Sequence, residues 1–419
     1  MPTLLLSRCV VLALLCALPP PADAANSAGA VLPATPNATG SGGLVEDRGR
    51  DCPAQALVDA GGPLLPDPFV RADGSRLDTR ADWRCQRQRT LRTAQAQLYG
   101  DKGPQPDAVT GTITGERIDV TVAHGGRQVS FSANLRLPPG PGPHPAMIVV
   151  GGVAGVDDRL LVEHGVARID YLPTQLGAET GQGRERQGAF FDLYGQQVQS
   201  SGTLMAWAWG VSRIIDVIAG AGQGMLRADA IGVTGCSRLG KGALAAGAFD
   251  QRVALTIPIE SGAGGVPTWR GGSDGAGTQP AHSAYGEQPW LGDAFAAYTG
   301  AVERLAIDQH QVLGLVAPRG LLILDNPHVA WLGARQGHAS ALAGAEIYRA
   351  LGAAGNLGYH SDVEDGTHCK WRPQWDAPTR AAIGRHLLHE PAPDLAINAA
   401  DGATATLDDL RDWNTPELE

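Results

Sequence analysis

The chain has 419 residues, 43% hydrophobic and 18% charged, so it can bury a large core in one or two domains, and disorder over most of its length is excluded. The formal net charge of -10 and the isoelectric point of about 5.5 argue against a nucleic-acid partner, because phosphate binding calls for a basic face.

The first 24 residues are typical of a secretory signal peptide. Arg8 precedes an apolar run from Val10 to Leu18, and the small residues Ala22 and Ala24 have the spacing of a cleavage site. The apolar run is too short to span a membrane. We therefore expect a secreted or periplasmic protein that is not held in a membrane.

Residues 25–50 predict a flexible leader, because they are rich in Ala, Gly, Pro, Ser and Thr without periodicity. This stretch contains Asn37-Ala38-Thr39, a glycosylation acceptor that matters only in a eukaryotic host. Residues 51–419 are expected to form one compact, loop-rich domain. The whole chain contains 56 glycines and 29 prolines, which indicate many turns, and no fixed-period repeat is visible in it. We expect a monomer.

Short apolar runs bounded by turn residues predict buried strands, and two longer segments have helical periodicity. The predicted strands are Ala146–Val150, Ile231–Thr234, Val253–Ile257 and Leu321–Leu324, and the predicted helices are Met205–Ile218 and Ala339–Leu351. Strands that alternate with helices predict a mostly parallel sheet with right-handed crossovers.

A serine between glycines follows the second predicted strand and precedes an alanine-rich helical stretch. The motif is Gly235-Cys236-Ser237-Arg238-Leu239-Gly240-Lys241-Gly242. A serine attacks carbonyls well when a sharp strand-to-helix turn exposes it and a helix N-terminus favours the developing negative charge. The spacing G-x-S-x-x-G differs from the common G-x-S-x-G, and Gly-Ser turns are frequent. The motif therefore predicts a nucleophile at Ser237 only together with a base and an acid.

Two acidic residues at the ends of predicted strands can supply that acid. Glu260 closes the run that begins at Val253, and Asp325 follows the strand that ends at Leu324. Either carboxylate could reach a histidine, and the spacing in the sequence leaves the choice open.

His368 is the best candidate base among the 11 histidines. It lies downstream of both acids, on a loop expected after the last strand, and α/β-hydrolases use the same order of nucleophile, acid and histidine. Imidazole titrates near neutrality and can take the serine proton. Most histidines in proteins are structural, but this position and the adjacent Cys369 favour a catalytic interpretation.

The cysteines that remain after removal of the signal peptide are even in number, which is typical of disulfides formed in an oxidising compartment. One interpretation pairs Cys236 with Cys369, which would hold Ser237 and His368 close together, and the nearby Cys52 with Cys85. Buried thiols and a metal site are the alternatives. Zinc sites usually contain closely paired ligands such as C-x-x-C or H-E-x-x-H, which this chain lacks, so no metal is expected.

These residues together resemble the glucuronoyl esterases of carbohydrate esterase family fifteen, whose signature is the elbow Gly-Cys-Ser-Arg-x-Gly-Lys-Gly. The resemblance runs from about Cys52 to about His386. Further similar stretches are Met205 to Arg213, Glu260 to Gly265, Asp308 to Gln311, Asn326-Pro327 with Trp331 to Gly333, and His368-Cys369. The resemblance implies an α/β-hydrolase fold, a mostly parallel central sheet flanked by helices in a three-layer sandwich.

The resemblance also assigns the catalytic roles. It implies that Ser237 is the nucleophile, His368 the general base and Glu260 the acid that orients the base. It thereby favours Glu260 over Asp325. Some bacterial members carry an additional or alternative acid where this chain has Ala330, so activity should depend strongly on Glu260.

Five further residues are implied to contact the substrate or the transition state. Arg238 would hold the oxyanion through its backbone N–H and its guanidinium, or else form only a surface salt bridge. Lys241, Gln279, Glu287 and Trp331 would bind the uronate, whose hydroxyls need hydrogen-bond partners and whose ring needs an apolar surface. The alternatives are a solvated Lys241 and a core Trp331.

The substrate implied by the resemblance is the ester between 4-O-methyl-D-glucuronic acid of glucuronoxylan and lignin alcohols, cleaved through an acyl-enzyme without metal or organic cofactor. Another carbohydrate esterase, such as an acetyl xylan esterase, would use the same triad with a different pocket. A noncatalytic wall-binding protein is the alternative from another class, and the intact candidate triad argues against it.

Overall fold

The structure of the protein is a computed structural model. It describes residues 31–32, 46–47, 52–53, 55–56, 61–222, 224–271 and 277–419. The predicted signal peptide and the glycosylation acceptor at Asn37 lie outside these residues.

A ten-stranded sheet forms the centre of the molecule, and a separate two-stranded antiparallel pair lies near the N-terminus. The strands are β1 (Val31–Leu32), β2 (Gln55–Ala56), β3 (Ala108–Ile113), β4 (Arg117–His124), β5 (Arg127–Arg136), β6 (His144–Val150), β7 (Ala167–Tyr171), β8 (Leu226–Cys236), β9 (Val253–Ile259), β10 (Gly320–Leu324), β11 (Leu357–His360) and β12 (Ile397–Asn398). The four predicted strands are confirmed as parts of β6, β8, β9 and β10.

Helices cover both faces of the sheet. They are α1 (Asp82–Ala94), α2 (Asp158–Glu163), α3 (Ala189–Tyr194), α4 (Thr203–Ala221), α5 (Arg238–Phe249), α6 (Ala281–Glu287), α7 (Gln309–Val316), α8 (Ala334–Ala350) and α9 (Asp376–Ile383). The two predicted helices correspond to α4 and α8, and α8 begins five residues earlier than the periodicity indicated, at Ala334.

The strand order in the sheet is β12-β11-β10-β9-β8-β6-β7-β5-β4-β3. Neighbouring strands from β12 to β7 are parallel, and β5, β4 and β3 add an antiparallel edge. The chain leaves β6 to one side for β7 and returns on the other side for β8. Such a switch point opens a crevice at the carboxyl ends of the strands, where ligands bind in open α/β sheets.

Two apolar clusters, one on each face of the sheet, make this a three-layer sandwich, as the α/β-hydrolase resemblance implied. Successive residues of β6 point to opposite faces, so that Ile148 belongs to the cluster with α4, α5, α7 and α8, and Met147 and Val149 to the one with α2 and α9. Helix α4 is long and apolar enough to cross a membrane, but most of it is buried in the first cluster, as expected of a core helix.

The folded domain begins before residue 51, the start expected from the sequence. Glu46 is buried, and its carboxylate contacts Lys102 Nζ at 2.7 Å and Arg213 Nη2 at 3.0 Å. Asp47 contacts Arg84 Nε of α1 at 3.0 Å. Removing one partner of a buried ion pair is strongly destabilising, so Glu46, which was expected to lie in the leader, is part of the domain.

Candidate active site

Ser237 occupies a strained turn between β8 and α5. Its backbone has φ 59° and ψ -133°, a combination that residues other than glycine rarely adopt, and its N–H donates to Ile259 O at 2.9 Å. A Cβ atom at Gly235 would lie 2.6 Å from Leu239 O, and one at Gly240 would lie 2.7 Å from Ile259 O. Both glycines of the G-x-S-x-x-G motif are therefore required by close backbone approach.

The His368 ring is held by Glu260. The distance from His368 Nδ1 to Glu260 Oε2 is 2.6 Å, which is short enough for a charge-assisted hydrogen bond. Because an ionised carboxylate only accepts hydrogen bonds, Nδ1 carries the proton and donates it. Nε2 is then the unprotonated nitrogen that can act as a base.

Glu260 directly follows β9, is fully buried and accepts hydrogen bonds from several donors. Cys369 N–H donates to Oε2 at 2.8 Å, and Arg372 Nη1 donates to Oε1 at 2.8 Å. Burial raises the pKa of Glu260, but the hydrogen bonds from His368 and Cys369 and the charge of Arg372 outweigh it, so that the pKa lies below its ordinary value. The carboxylate therefore stays ionised at neutral pH.

Arg372 is a site residue that the sequence analysis missed. Its guanidinium is buried, and besides Glu260 it donates to the carbonyls of Lys370 (2.6 Å), Thr367 (2.7 Å) and Asp365 (3.0 Å). These carbonyls lie on both sides of His368. Arg372 thus holds the loop that carries His368 in place and also stabilises the negative charge of Glu260. Its only signal in the sequence was an arginine four residues after His368.

Among the described residues, no hydrogen bond joins Asp325, the rival acid, to His368. Its Oδ1 accepts from Asn326 N–H at 2.9 Å, and its Oδ2 lies 3.2 Å from the Tyr359 hydroxyl. Burial raises the pKa of Asp325 to about 7, and the nearby charge of Glu260 adds to that shift. The geometry selects Glu260 as the partner of His368.

Two disulfides join Cys52 to Cys85 and Cys236 to Cys369, the pairs favoured in the sequence analysis. The second brings Ser237 and His368 to the same place, since each is the chain neighbour of one of its cysteines. Among the described residues, no direct hydrogen bond joins Ser237 Oγ to His368. Such catalytic hydrogen bonds are often long before substrate binds.

Four potential metal ligands, Cys236, Glu260, His368 and Cys369, have ligand atoms within 4.8 Å of one another. Both sulfur atoms are bonded to each other, so neither is a thiolate, and the imidazole and the carboxylate bond to each other. The cluster is accounted for by the disulfide and the His–Glu pair.

An open cavity of about 340 Å³ lies in front of Ser237. The residues that the sequence analysis singled out as substrate contacts all line it, namely Lys241, Gln279, Glu287 and Trp331, together with Arg238. His368 is not one of the lining residues, but its ring packs edge-to-face against Trp331, which is, with the two ring centroids 6.1 Å apart. Trp331 is 54% exposed and is therefore a surface residue of the cavity and not a core residue.

Lys241 is a buried cation in the cavity wall and is not solvated. Its Nζ donates to Ser261 O at 2.5 Å and lies 5.1 Å from the centroid of the Trp290 ring. Burial lowers the pKa of Lys241 to about 8, and the nearby charge of Glu287 opposes that shift.

Gln279 precedes helix α6 and Glu287 is its last residue, and the two side chains are joined by a hydrogen bond. Gln279 Nε2 donates to Glu287 Oε2 at 2.7 Å, and Gln279 N–H donates to Trp331 O at 3.3 Å. Glu287 ends helix α6, which positions it over the cavity. The loop residues 272–276, which precede Gln279, lie outside the described residues.

Arg238 forms the surface salt bridge that was the alternative role, and it also lines the cavity. Its Nε donates to Glu179 Oε2 at 3.0 Å. Its N–H begins helix α5 and is one of the unpaired donors of a helix N-terminus.

Glu179 and Trp290 were missed in the sequence analysis because they come from loops that carry no periodic pattern. The one available signal for Trp290 was an isolated tryptophan among prolines and glycines.

Comparisons with known proteins agree on one family. The family model described as "Glucuronyl esterase, fungi" matches residues 120–352. The 4-O-methyl-glucuronoyl methylesterase of Schizophyllum commune is 36% identical over 377 residues, which cover 88% of this chain and 95% of that protein. The protein of the same name from Thermothelomyces thermophilus is 36% identical over 351 residues, covering 81% of this chain and 86% of that protein.

Solved structures give the same result. The catalytic domain of the glucuronoyl esterase from Hypocrea jecorina superimposes with a TM-score of 0.80 at 32% identity, covering 87% of this chain and 99% of that one. A mutant glucuronoyl esterase from Sporotrichum thermophile, in complex with methyl 4-O-methyl-beta-D-glucopyranuronate, gives a TM-score of 0.81 at 33% identity, covering 87% of this chain and 98% of that one.

Proposed function

Because this chain belongs to the glucuronoyl esterase family, we propose that it is a serine-type ester hydrolase. It cleaves the ester between 4-O-methyl-D-glucuronic acid of glucuronoxylan and lignin alcohols. The observation that carries the proposal is the His368–Glu260 hydrogen bond of 2.6 Å, tied by the Cys236–Cys369 disulfide to the strained turn of Ser237.

The reaction proceeds in two halves. His368 Nε2 takes the proton of Ser237 Oγ as the oxygen attacks the uronate carbonyl, and Glu260 stabilises the imidazolium that forms. The imidazolium then gives its proton to the departing alcohol. Water attacks the glucuronoyl-enzyme by the same steps and releases the acid and Ser237.

The oxyanion that forms in each half is held at the N-terminus of α5. The Arg238 N–H and the helix dipole favour negative charge there, and the guanidinium adds a cation. Losing one donor from such a site typically costs about 10²- to 10³-fold in rate.

The uronate ring binds in the cavity beside Ser237. Lys241 donates to ring hydroxyls, Gln279 and Glu287 supply an amide and a carboxylate, and the exposed face of Trp331 packs on the ring. The substrate class follows the ligand of the Sporotrichum thermophile mutant, a methyl uronate ester.

The protein is a monomer that is exported, either secreted or periplasmic, with a signal peptide at residues 1–24 and one catalytic domain. The two disulfides support this location, because disulfides persist in oxidising compartments. Xylan-lignin esters are also found outside the cells that would degrade them.

The proposal is tested by hydrolysis of benzyl glucuronate beside p-nitrophenyl acetate. We expect turnover of the glucuronate to exceed that of the acetate, and Ser237→Ala to abolish both. Ser283→Ala is the matched control, since Ser283 also lines the cavity but touches only Gln279 among the predicted site residues. Acetate turnover without glucuronate turnover would assign another esterase activity, and no turnover of either ester would favour a wall-binding role.

A further inference from the structure

The Glu179 carboxylate forms hydrogen bonds to two residues that line the cavity but does not line it itself. Glu179 lies on the loop between β7 and α3, its side chain is 17% exposed, and it is not among the residues that line the cavity. Its Oε2 accepts from Arg238 Nε at 3.0 Å, and its Oε1 accepts from Trp290 Nε1 at 2.8 Å. Both donors line the cavity.

The first arm fixes a cation beside the nucleophile. Arg238 follows Ser237, its side chain is 51% exposed, and among the described residues its guanidinium has Glu179 as its only hydrogen-bond partner. The guanidinium is planar, so binding at Nε sets the direction of both Nη groups. Without Glu179, this exposed side chain would be free to turn away from the reacting ester.

The second hydrogen bond of Glu179, from Trp290, holds the indole ring that lies against Lys241. Trp290 is 4% exposed, and its indole N–H has a partner only in Glu179 among the described residues. The indole face lies 5.1 Å from Lys241 Nζ, within the range of a cation–π interaction. The orientation of this ring therefore affects where the ammonium can donate.

We propose that Glu179 is a positioning residue of the esterase, which aims the Arg238 guanidinium at the oxyanion and holds the Trp290 indole against Lys241. This inference rests on the proposed function. The first arm acts on charge that appears only in the transition state and so affects kcat. The second acts on substrate binding and so affects KM.

The experiment measures kcat and KM for benzyl glucuronate in the full chain. Glu179→Ala should lower kcat by about 10- to 100-fold, the cost of a misplaced catalytic group, and raise KM. Trp290→Phe, which removes the indole N–H and keeps a smaller aromatic ring at this position, should raise KM and leave kcat near the wild-type value. Glu185→Ala is the control: Glu185 is an exposed glutamate on the same loop and should behave as wild type.

A double-variant comparison separates positioning from a merely structural role. If Glu179 acts on kcat through Arg238, then Glu179→Ala combined with Arg238→Ala should have the same kcat as Arg238→Ala alone. Glu179→Gln, which is isosteric and keeps one acceptor, should fold normally and lose less kcat than Glu179→Ala.

Two results would overturn the inference: Glu179→Ala with the kinetic constants of Glu185→Ala, or losses in kcat that multiply in the double variant. Failure of the wild-type protein to hydrolyse the glucuronate would instead reject the proposed function, so the two failures are distinguishable.

Discussion

Two buried carboxyl groups at the ends of adjacent strands have opposite properties. Glu260 follows β9 and Asp325 follows β10, and the last residues of these strands, Ile259 and Leu324, are paired in register. Both side chains are almost fully buried. Yet the pKa of Glu260 lies below its ordinary value, whereas burial raises the pKa of Asp325 to about 7.

The difference lies in the donors that each carboxyl group meets. Glu260 receives an imidazole, a backbone N–H and a guanidinium, which stabilise its charge. Asp325 receives one backbone N–H and shares the Tyr359 hydroxyl with Ala334 O, 2.9 Å away. The Tyr359 hydroxyl has one proton, which it can donate to only one of these two oxygens. If it donates to Ala334 O, a protonated Asp325 can donate its own proton to the hydroxyl oxygen. Equal burial thus produces an ionised carboxylate bound to His368 in one case and a carboxyl group with a raised pKa in the other.

The largest difference between Glu260 and Asp325 is expected when each carboxyl group is replaced by an amide. Glu260→Gln should lower kcat by about 10⁴-fold, because the amide cannot stabilise the imidazolium. Asp325→Asn should keep most of the activity, since Asp325 does not form the hydrogen bond that orients His368, which comes from Glu260. Steady-state hydrolysis of benzyl glucuronate measures both. Comparable losses in the two variants would show that the comparison is wrong.

Arg372→Met tests what keeps Glu260 charged. The variant leaves a buried carboxylate with one donor fewer and loosens the His368 loop, so we expect a loss of about 3–5 kcal/mol in the free energy of unfolding. Without the guanidinium the pKa of Glu260 rises, so the acid limb of activity should move to higher pH.

Denaturant titration and a pH–rate profile provide these two readouts. Lys370→Met is the control, since it removes the same charge from an exposed position on the same loop. An Arg372→Met protein as stable as Lys370→Met, with an unmoved acid limb, would refute this role of Arg372.

Asp325→Asn should change how stability depends on pH. Between the ordinary pKa of 3.8 and about 7, the folded protein holds a proton on Asp325 that the unfolded chain has released. The contribution of Asp325 to the free energy of unfolding therefore falls as pH rises through this interval. The variant lacks this titration, so its stability relative to wild type should improve by at most roughly 4 kcal/mol from acid to neutral pH. A pH-independent difference in urea unfolding would contradict the assignment.

Lys241 extends the comparison to a cation, whose pKa burial shifts in the opposite direction. Because the pKa is lowered to about 8, the ammonium is lost as pH rises above that value. KM for benzyl glucuronate should then rise by about 10- to 100-fold, since a hydrogen bond to a charged group contributes about 1.5–3 kcal/mol. Lys241→Met should have a high KM that does not change over this range. The exposed Lys370→Met should keep the wild-type profile.

Much of the fold could be predicted from local patterns. Buried parallel strands are continuous apolar runs, so β6, β8, β9 and β10 stand out, and the motif at Ser237 identifies the turn between β8 and α5. The antiparallel edge was missed, although the alternation of Ile118, Val120 and Val122 in β4 is the period-2 signal of a half-buried strand.

The rest of the site depends on contacts between residues that are distant in sequence. Arg238 and Glu179 are 59 residues apart, and Arg372 and Glu260 are 112 apart. No periodicity encodes such pairs. The choice between Glu260 and Asp325 likewise depended on which strand end faces the His368 loop, and only the family resemblance favoured the acid that the structure brings to His368.

The most direct test of the central claim is the rate at which a fluorophosphonate probe labels Ser237, followed by peptide mapping, because this rate reports the activation of the serine without any substrate contact. The wild-type protein and Asp325→Asn should be labelled at Ser237 at similar rates, and Glu260→Gln far more slowly. Labelling of Glu260→Gln as fast as the wild-type protein, or labelling at another residue, would contradict the account.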